Sequence, residues 1–241
     1  MTHQPRTRIR IRFSKLGKIR FTSHRDVARI WERALRRAGL PIAYTEGFSP
    51  RPKLSFGLAL STGYESYGEY LDVALRDEQD GVDIHELPRR LAPALPEGID
   101  VQAVVPLPAG AESLQQAVTS CTWHIDVGAA LPSAVAHAVA GALAAPELVV
   151  TRERKGHSVT DDVRPAILRA EVLGGMTIEA ELATQPRGLR PAEFLVAVDP
   201  TWRADRVTRI NQWTQVGGAR REVIDLPPAA TPPPHAEVRA S

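Results

Sequence analysis

The chain has 241 residues, 43% of them hydrophobic and 24% charged, a composition typical of globular proteins rather than disordered chains. No apolar run reaches the roughly 20 residues that cross a bilayer, and the N-terminus lacks the apolar core of a secretory signal. We therefore expect no membrane partner. Because the single cysteine, Cys121, cannot form an internal disulfide, we also expect a cytoplasmic protein.

Charge is distributed unevenly along the chain, although the formal net charge is only +2. The first 53 residues contain 14 Lys and Arg against three acids, and the remainder contains 16 basic and 25 acidic residues. Such a split is typical of a protein whose basic end meets a polyanion while the rest stays well solvated. The alternative is a basic surface that contacts only water.

The N-terminal segment alternates between apolar and basic side chains over residues 7–13, which predicts a half-buried strand. Its apolar members are Ile9, Ile11 and Phe13, and its basic members are Arg8, Arg10 and Arg12. After a turn at residues 14–18, residues 19–21, which include Arg20, continue the alternation and predict a second stretch of strand.

A helix is predicted to begin after Ser23, a capping residue, with Asp26 three positions later as in a capping box. It ends near Ala38 because Gly39 and Pro41 follow. Its buried face is formed by apolar residues at helical spacing, Val27, Ile30, Trp31, Ala34, Leu35 and Ala38. Its opposite face carries Arg25, Arg29, Arg33 and Arg36.

The same patterns predict the rest of the first half: a short strand at 40–45, a loop rich in Gly, Pro and Ser at 46–66, a strand at 68–75, a helix at 84–95 and a strand at 99–105. The order β-α-β-β-α-β is that of a ferredoxin-like sandwich. In that fold the helices cover one face of the sheet. We therefore expect the arginine row of the first strand to be exposed on the other face.

A second, similar series follows the segment at residues 106–110. It comprises strands at 118–127, 148–153, 167–172, 176–183 and 207–213, and helices at 133–143 and 191–198. We therefore predict an α+β protein of two tandem ferredoxin-like (βαββαβ) sandwiches, residues 1–106 and 107–225. Residues 226–241 contain five prolines and little apolar content, which predicts a disordered tail.

The sequence contains no complete catalytic set. One cysteine cannot supply the thiolates of an iron–sulfur centre, and neither zinc-ligand spacing nor a Gly-rich phosphate signature occurs, so we expect no metal and no cofactor. Cys121 is interpreted as a small buried apolar residue. His24, in the first helical turn, is a weak candidate for a general base or phosphate ligand, and a packed or exposed ring without a chemical role is the alternative.

Two loops add basic residues. At 46–53, Gly47 frees the backbone, two prolines stiffen the turn, and Arg51 and Lys53 supply charge that can contact a phosphate. At 152–165, a basic hairpin tip is predicted to form a secondary patch of Arg154, Lys155 and Arg164. For the first loop the alternative is a purely structural connection, and for the second it is a hairpin that contacts only water.

A set of short motifs links these segments: FSK (13–15), TSHRD (22–26), ERALRRAGLP (32–41), EGFSPRPK (46–53) and GEYLD (68–72), with thinner matches at RKG (154–156), DVRP (162–165) and LRP (189–191). Together they resemble the radical-SAM-linked protein family, a domain of unknown function fused to, or encoded beside, cobalamin-binding-type radical SAM proteins. The resemblance implies that the radical chemistry lies in another polypeptide. The gene neighbourhoods of the family favour RNA as the molecule that it recognises. The resemblance implies no catalytic residues. Arg25 stands where many relatives have an aliphatic residue.

We therefore expect a non-catalytic accessory protein that recognises RNA for a separate radical SAM enzyme. The predicted RNA-binding residues are Arg8, Arg10, Arg12, Arg20, Arg25, Arg29, Arg33, Arg36, Arg51 and Lys53. Because few exposed aromatic residues are expected in this region, we expect recognition of backbone and shape rather than base stacking. Two alternatives remain: a metal-independent RNA-processing enzyme that uses His24, and an interaction module that docks an acidic protein.

Overall fold

The computed structural model describes residues 7–76, 82–128, 131–154 and 156–224, and it is a mixed α+β fold with one large, mostly antiparallel sheet. This confirms the predicted mixed class. The strands are β1 (Arg8–Lys15), β2 (Leu54–Phe56), β3 (Glu65–Ala74), β4 (Val101–Leu107), β5 (Val118–Val127), β6 (Val149–Arg154), β7 (His157–Asp162), β8 (Ile167–Val172), β9 (Thr177–Ala183), β10 (Ala204–Val216) and β11 (Ala219–Glu222). The helices are α1 (His24–Arg37), α2 (Leu87–Leu91), α3 (Leu114–Ala117), α4 (Pro132–Ala144) and α5 (Pro191–Val198).

The large sheet has nine strands, with the order β4-β1-β3-β10-β5-β9-β8 and with β2 and β11 paired to β3 and β10. Its two halves meet where β10 runs parallel to β3, with Thr208 opposite Glu65 and Arg209 opposite Ser66. The strands of both sequence halves therefore share one sheet, and the division at residue 106 stays a prediction. The hairpin β6–β7 forms a separate two-stranded sheet.

The first hydrophobic core lies between the β1–β3 region of the sheet and helices α1 and α2. Its central members are Ile9, Ile11, Phe13, Val27, Trp31, Leu35, Leu71, Val73, Leu87 and Leu91. The rings of Phe13 and Trp31 lie 4.8 Å apart between centroids. Each such side chain stabilises the fold by about 1.5–3 kcal/mol through removal of apolar surface from water. The predicted inward faces of the first strand and first helix are confirmed.

A second core lies between the β5–β9–β8 region and helices α4 and α5. The strand β5 turns Cys121, Trp123 and Ile125 towards it, as expected from the period of two in a strand. Cys121 is 1% exposed, which confirms its interpretation as a buried residue, and burial raises the pKa of its thiol to about 11. Tyr70 of β3 joins the same cluster, and burial raises the pKa of its hydroxyl to about 12.

Several predicted elements differ from those observed. Residues Gly17–Phe21 form a 3₁₀ helix instead of a resumed strand, residues 40–45 make only isolated bridges, and the helix predicted at 84–95 is reduced to α2 followed by a 3₁₀ turn at Ala92–Ala94. Pro93 explains the early end of this helix because it lacks the amide that an α-helix needs there. Strands β2, β7 and β11 were not predicted as strands.

No helix within the four described ranges is long and apolar enough to cross a membrane. The predicted tail at residues 226–241 lies outside the described residues.

Candidate nucleic-acid interface

The arginine row of β1 is not exposed as predicted, because Arg10 and Arg12 are buried and Arg8 is half-buried. Arg10 is only 7% exposed and Arg12 only 4%. Arg10 faces Asp72 across the β1–β3 pair, and its Nε and Nη2 donate to the two carboxylate oxygens at 2.6 and 2.8 Å. This bidentate geometry is the strongest arrangement for an arginine and a carboxylate.

Arg12 and Arg8 bind parts of the same chain that are distant in sequence. Arg12 donates to Gln102 Oε1 at 3.0 Å, to Glu222 Oε2 at 2.6 Å and to Asn211 Oδ1 at 3.2 Å. Arg8 donates to the carbonyl oxygen of Ala111 at 2.9 Å. Arg12, which is buried, would have to give up these bonds to contact an RNA phosphate, and Arg8 is half-buried on the same face.

The sheet face that carries Arg10 and Arg12 is covered by segments of the second half of the chain. Leu114 of α3 and Ile224, which follows β11, belong to the same buried cluster as Tyr70 on this face. A ferredoxin-like sandwich standing alone would leave the face open, whereas here other segments supply both the cover and the counter-charges. The arginines of β1 therefore join the two halves.

The outer face of α1 carries the exposed basic residues of the candidate interface, Arg25, Arg29, Arg33, Arg36 and Arg37. Only Arg29 forms an ion pair among the described residues, with Asp26 at 3.2 Å, and both side chains are about half exposed. Such an exposed pair contributes little to stability. The other four guanidinium groups are available to an external anion.

The N-terminus of α1 is capped as predicted. The backbone amide of Asp26 donates to Ser23 Oγ at 3.2 Å, and the Ser23 hydroxyl donates to Asp26 Oδ2 at 2.7 Å. The hydrogen bond from Ser23 holds the pKa of the Asp26 carboxyl below its usual value, with a smaller contribution from Arg29. The cap fixes where the helix begins, and with it the direction of the arginine face.

Two further arginines extend this basic surface. Arg90 of α2 donates to the carbonyl oxygen of Ala38, directly after α1, at 2.6 Å. Its neighbour Arg89 is 84% exposed and lies 3.3 Å from Glu86. Arg37, Arg89 and Arg90 were not singled out from the sequence. The adjacency of α2 to the end of α1 depends on packing, and no local pattern in the sequence indicates it.

Two exposed aromatic rings lie in the segments before and after α1, the region where few were expected. Phe21, just before the helix, is 63% exposed, and the Arg20 guanidinium stacks over its ring at 4.6 Å. Arg20 also pairs with Glu65 at 3.2 Å. Phe48 is fully exposed. In the sequence, Phe48 falls outside the apolar periodicities, which is the signal that could have identified it, whereas Phe21 falls within the alternation predicted at residues 19–21.

Phe48 lies in the loop predicted to contact phosphate. Thr45 and Arg51 close this loop through two hydrogen bonds of 2.9 Å, one from the Thr45 amide to the Arg51 carbonyl and one from the Arg51 amide to Thr45 Oγ1. Lys53 follows, and its amide bonds the carbonyl of Ala43 beside the end of β3. Because Ile42, shortly after α1, pairs with Leu75 at the same end of β3, the loop and the C-terminal end of α1 lie at one end of the sheet.

His24 is exposed at the start of α1, and its ring meets the edge of Phe56 with centroids 5.2 Å apart. The adjoining cavity, which Lys15 and Glu69 also line, has a volume of only about 20 Å³. Lys15 donates to the carbonyl oxygens of Arg20 and Thr22, and burial lowers the pKa of its amine. A nucleotide does not fit in this space beside His24.

The predicted secondary patch is not supported at Arg164. Its Nη2 and Nε donate to the carbonyl oxygen of Leu143, at 2.7 and 3.2 Å, and its Nη1 donates to that of Ile167. Arg164 therefore supplies hydrogen-bond donors to a carbonyl group at the C-terminal end of α4, a common structural role for arginine. The side chain of Arg154 and the whole of Lys155 lie outside the described residues. Among the residues described, no cluster of three or more His, Cys, Asp or Glu could hold a metal ion.

Comparison with protein-family models gives a match over residues 8–191 to the family described as "Uncharacterized protein conserved in bacteria (DUF2344)". The chain belongs to this family. No curated protein matches it. The DUF2344 match begins at β1 and ends at the first residue of α5. It therefore includes the arginine face of α1 and the Phe48 loop, whereas Asn211 and Glu222, two of the partners of Arg12, lie beyond it.

Proposed function

We propose that this protein is a non-catalytic accessory subunit that binds RNA through the outer face of α1 and presents it to a separate radical SAM enzyme. The observation that carries the proposal is the outer face of α1, where four of five exposed arginines make no ion pair within the described residues. Arg8, Arg10, Arg12 and Arg164 are no longer part of the proposed contact set, and Arg37, Arg89 and Arg90 join it.

Phosphate is the anion that best matches this surface. Guanidinium groups offer planar, bidentate donors that suit phosphate oxygens, and a 14-residue helix extends for about 21 Å, long enough to meet several successive phosphates. Phe21 and Phe48 add exposed rings on which unpaired bases can stack. This combination favours single-stranded over double-stranded RNA, because the bases of a duplex are not open to stacking.

The radical SAM partner rests on the family resemblance and on the cysteine content. The chain has one cysteine, which is buried and whose thiol has a raised pKa, so it offers no thiolate for a cluster. Radical chemistry assisted by this chain therefore has to be carried outside these 241 residues.

The test is RNA binding in a salt series from about 50 to about 300 mM, because each neutralised phosphate contributes about −0.7 to the slope on single strands. A variant with Arg25→Gln, Arg33→Gln and Arg36→Gln is compared with a control that removes the same charge elsewhere, Arg203→Gln, Arg206→Gln and Arg221→Gln. We expect the α1 variant to lose about two units of slope and the control to resemble the wild type. Equal weakening of both variants, or no binding by the wild type at low salt, contradicts the proposal.

Two further measurements separate the two rival functions. RNA turnover that is lost in His24→Ala while binding is retained would indicate a processing enzyme. Binding of an acidic protein to the α1 face, without competition from RNA, would indicate an interaction module.

We further propose that each half of the chain is a ferredoxin-like unit. The strand orders β4-β1-β3-β2 and β10-β5-β9-β8, each with two connecting helices, support this assignment, with the β6–β7 hairpin as an insertion in the second unit. An experimental structure in which the two halves do not superpose over these strands would contradict it.

A further inference from the structure

A cavity of about 770 Å³ lies between the two halves of the chain, away from the arginine face of α1. The loop from Leu58 to Tyr64, which joins β2 to β3, forms one wall. The loop from Thr184 to Arg190, which leads into α5, forms the opposite wall. Cys121 and Trp123 of β5, together with Arg209 of β10, form its floor. This volume is within the range of sites that hold a metabolite or cofactor.

The floor carries a buried arginine in a fixed orientation. Arg209 is 2% exposed, and its Nη1 and Nη2 donate to the carbonyl oxygens of Leu58 and Ala59 at 3.0 and 3.1 Å. Nη1 also donates to Glu69 at 2.8 Å, and the guanidinium lies 4.7 Å from the centroid of the Trp123 ring. Four contacts therefore hold this group, yet its Nε, which is buried, has no hydrogen-bond partner.

The opposite wall carries a second incompletely paired arginine. Arg187 donates from Nε to Asp161 at 3.0 Å, and its Nη2 lies 3.8 Å from Glu193, beyond hydrogen-bond distance. Its Nη1 and Nη2 are both buried without a hydrogen-bond partner. Gln185, two residues earlier, anchors this loop by donating to the carbonyls of Gln116 and Val118.

The unpaired buried donors of Arg209 on the floor and of Arg187 on one wall need acceptors, because a buried N–H without a partner is costly. Arg190, which is exposed and also lines the cavity, adds a third guanidinium group. Burial raises the pKa of the Tyr64 hydroxyl, and the charge of Arg190 partly offsets this rise. Leu58, Trp123 and Leu182 supply apolar surface between these donors. The lining therefore matches a ligand with several acceptor oxygens at one end and a ring or apolar body at the other.

We propose that this cavity binds a small organic phosphate of mononucleotide size, with its phosphate oxygens towards Arg187 and Arg190 and its ring between Tyr64 and the Leu58 wall. Arg187 and Arg209 already lie beside carboxylates, so Arg190 supplies the charge that favours an anion. A phosphate supplies several acceptor oxygens in different directions, which suits the open donor positions better than a neutral sugar or base does. The site is independent of the RNA-binding proposal, because none of its residues belongs to α1.

Calorimetric titration with AMP, ribose 5-phosphate, adenosine and inorganic phosphate tests the site. We expect saturable binding of AMP or ribose 5-phosphate, and binding at least about tenfold weaker for adenosine, which lacks the charged acceptors. Absence of saturation by both organic phosphates below about 1 mM, the weak end of specific affinities, overturns the proposal.

Variants show whether the organic phosphate binds in this cavity. Ser61→Trp fills the cavity from the exposed loop and should abolish binding, and Arg190→Gln at the rim should weaken it by about tenfold. Arg203→Gln is the matched control and should bind as the wild type does. The Arg25→Gln/Arg33→Gln/Arg36→Gln variant should also bind normally, so failure of the RNA proposal and failure of this one are distinguishable. If Ser61→Trp has the same melting temperature as the wild type and still binds the ligand normally, the ligand lies elsewhere and the assignment is wrong.

Discussion

The buried pair between Arg10 and Asp72 gives the sharpest test of the structural role assigned to the β1 arginines. Their side chains are 8% and 5% exposed, and two hydrogen bonds of 2.6 and 2.8 Å join them. Asp72→Asn keeps the size of the side chain and removes its charge, which leaves the guanidinium buried without a counter-ion. Removing one partner of a buried ion pair typically costs about 3–5 kcal/mol.

The matched control is Glu86→Gln in the exposed pair with Arg89, whose side chains are 47% and 84% exposed. Water screens this pair, so we expect a loss below about 1 kcal/mol. Urea unfolding followed by circular dichroism measures both free energies of unfolding, with similar m-values as the condition for comparison.

A double variant, Arg10→Met with Asp72→Leu, should be more stable than the sum of the single changes predicts, because neither buried charge remains. The reasoning is refuted if Asp72→Asn loses no more stability than Glu86→Gln. An arginine that tolerates the loss of its carboxylate is hydrated, and it would then be available to an external anion after all.

Three further predictions concern other contacts. Ser23→Ala should lower the free energy of unfolding by about 1 kcal/mol. It should also raise the pKa of Asp26, measured by NMR, towards its usual value. Because the pKa of Asp26 is lowered in the folded state, the stabilisation by Asp26 is present at neutral pH and is lost as the pH falls through that pKa. Cys121 should resist thiol reagents at pH 8 in the folded protein and react fully in urea, and rapid labelling of the native state would contradict its burial. Arg164→Met should destabilise the protein by about 1 kcal/mol and leave RNA binding unchanged, and weakened RNA binding would restore the secondary patch.

The local elements with a clear hydrophobic period could be predicted from the sequence. The period of α1, the Ser23 cap and the alternation of β1 and β5 each depend on neighbours within a few residues, and the structure has these elements close to the predicted places. The charged face of α1 followed in the same way, because a helix with one buried face must display the other.

Other features could not be predicted from neighbouring residues. The pairing of β3 with β10 and the cover over Arg10 and Arg12 join segments separated by roughly 100 to 200 positions, and no local pattern records them. A strand that alternates apolar and basic residues has the same sequence whether its basic side faces water or a buried carboxylate. Only the tertiary structure decided that Asp72 and Glu222 lie opposite these arginines, and it thereby separated the arginines that hold the protein together from those that can bind a partner.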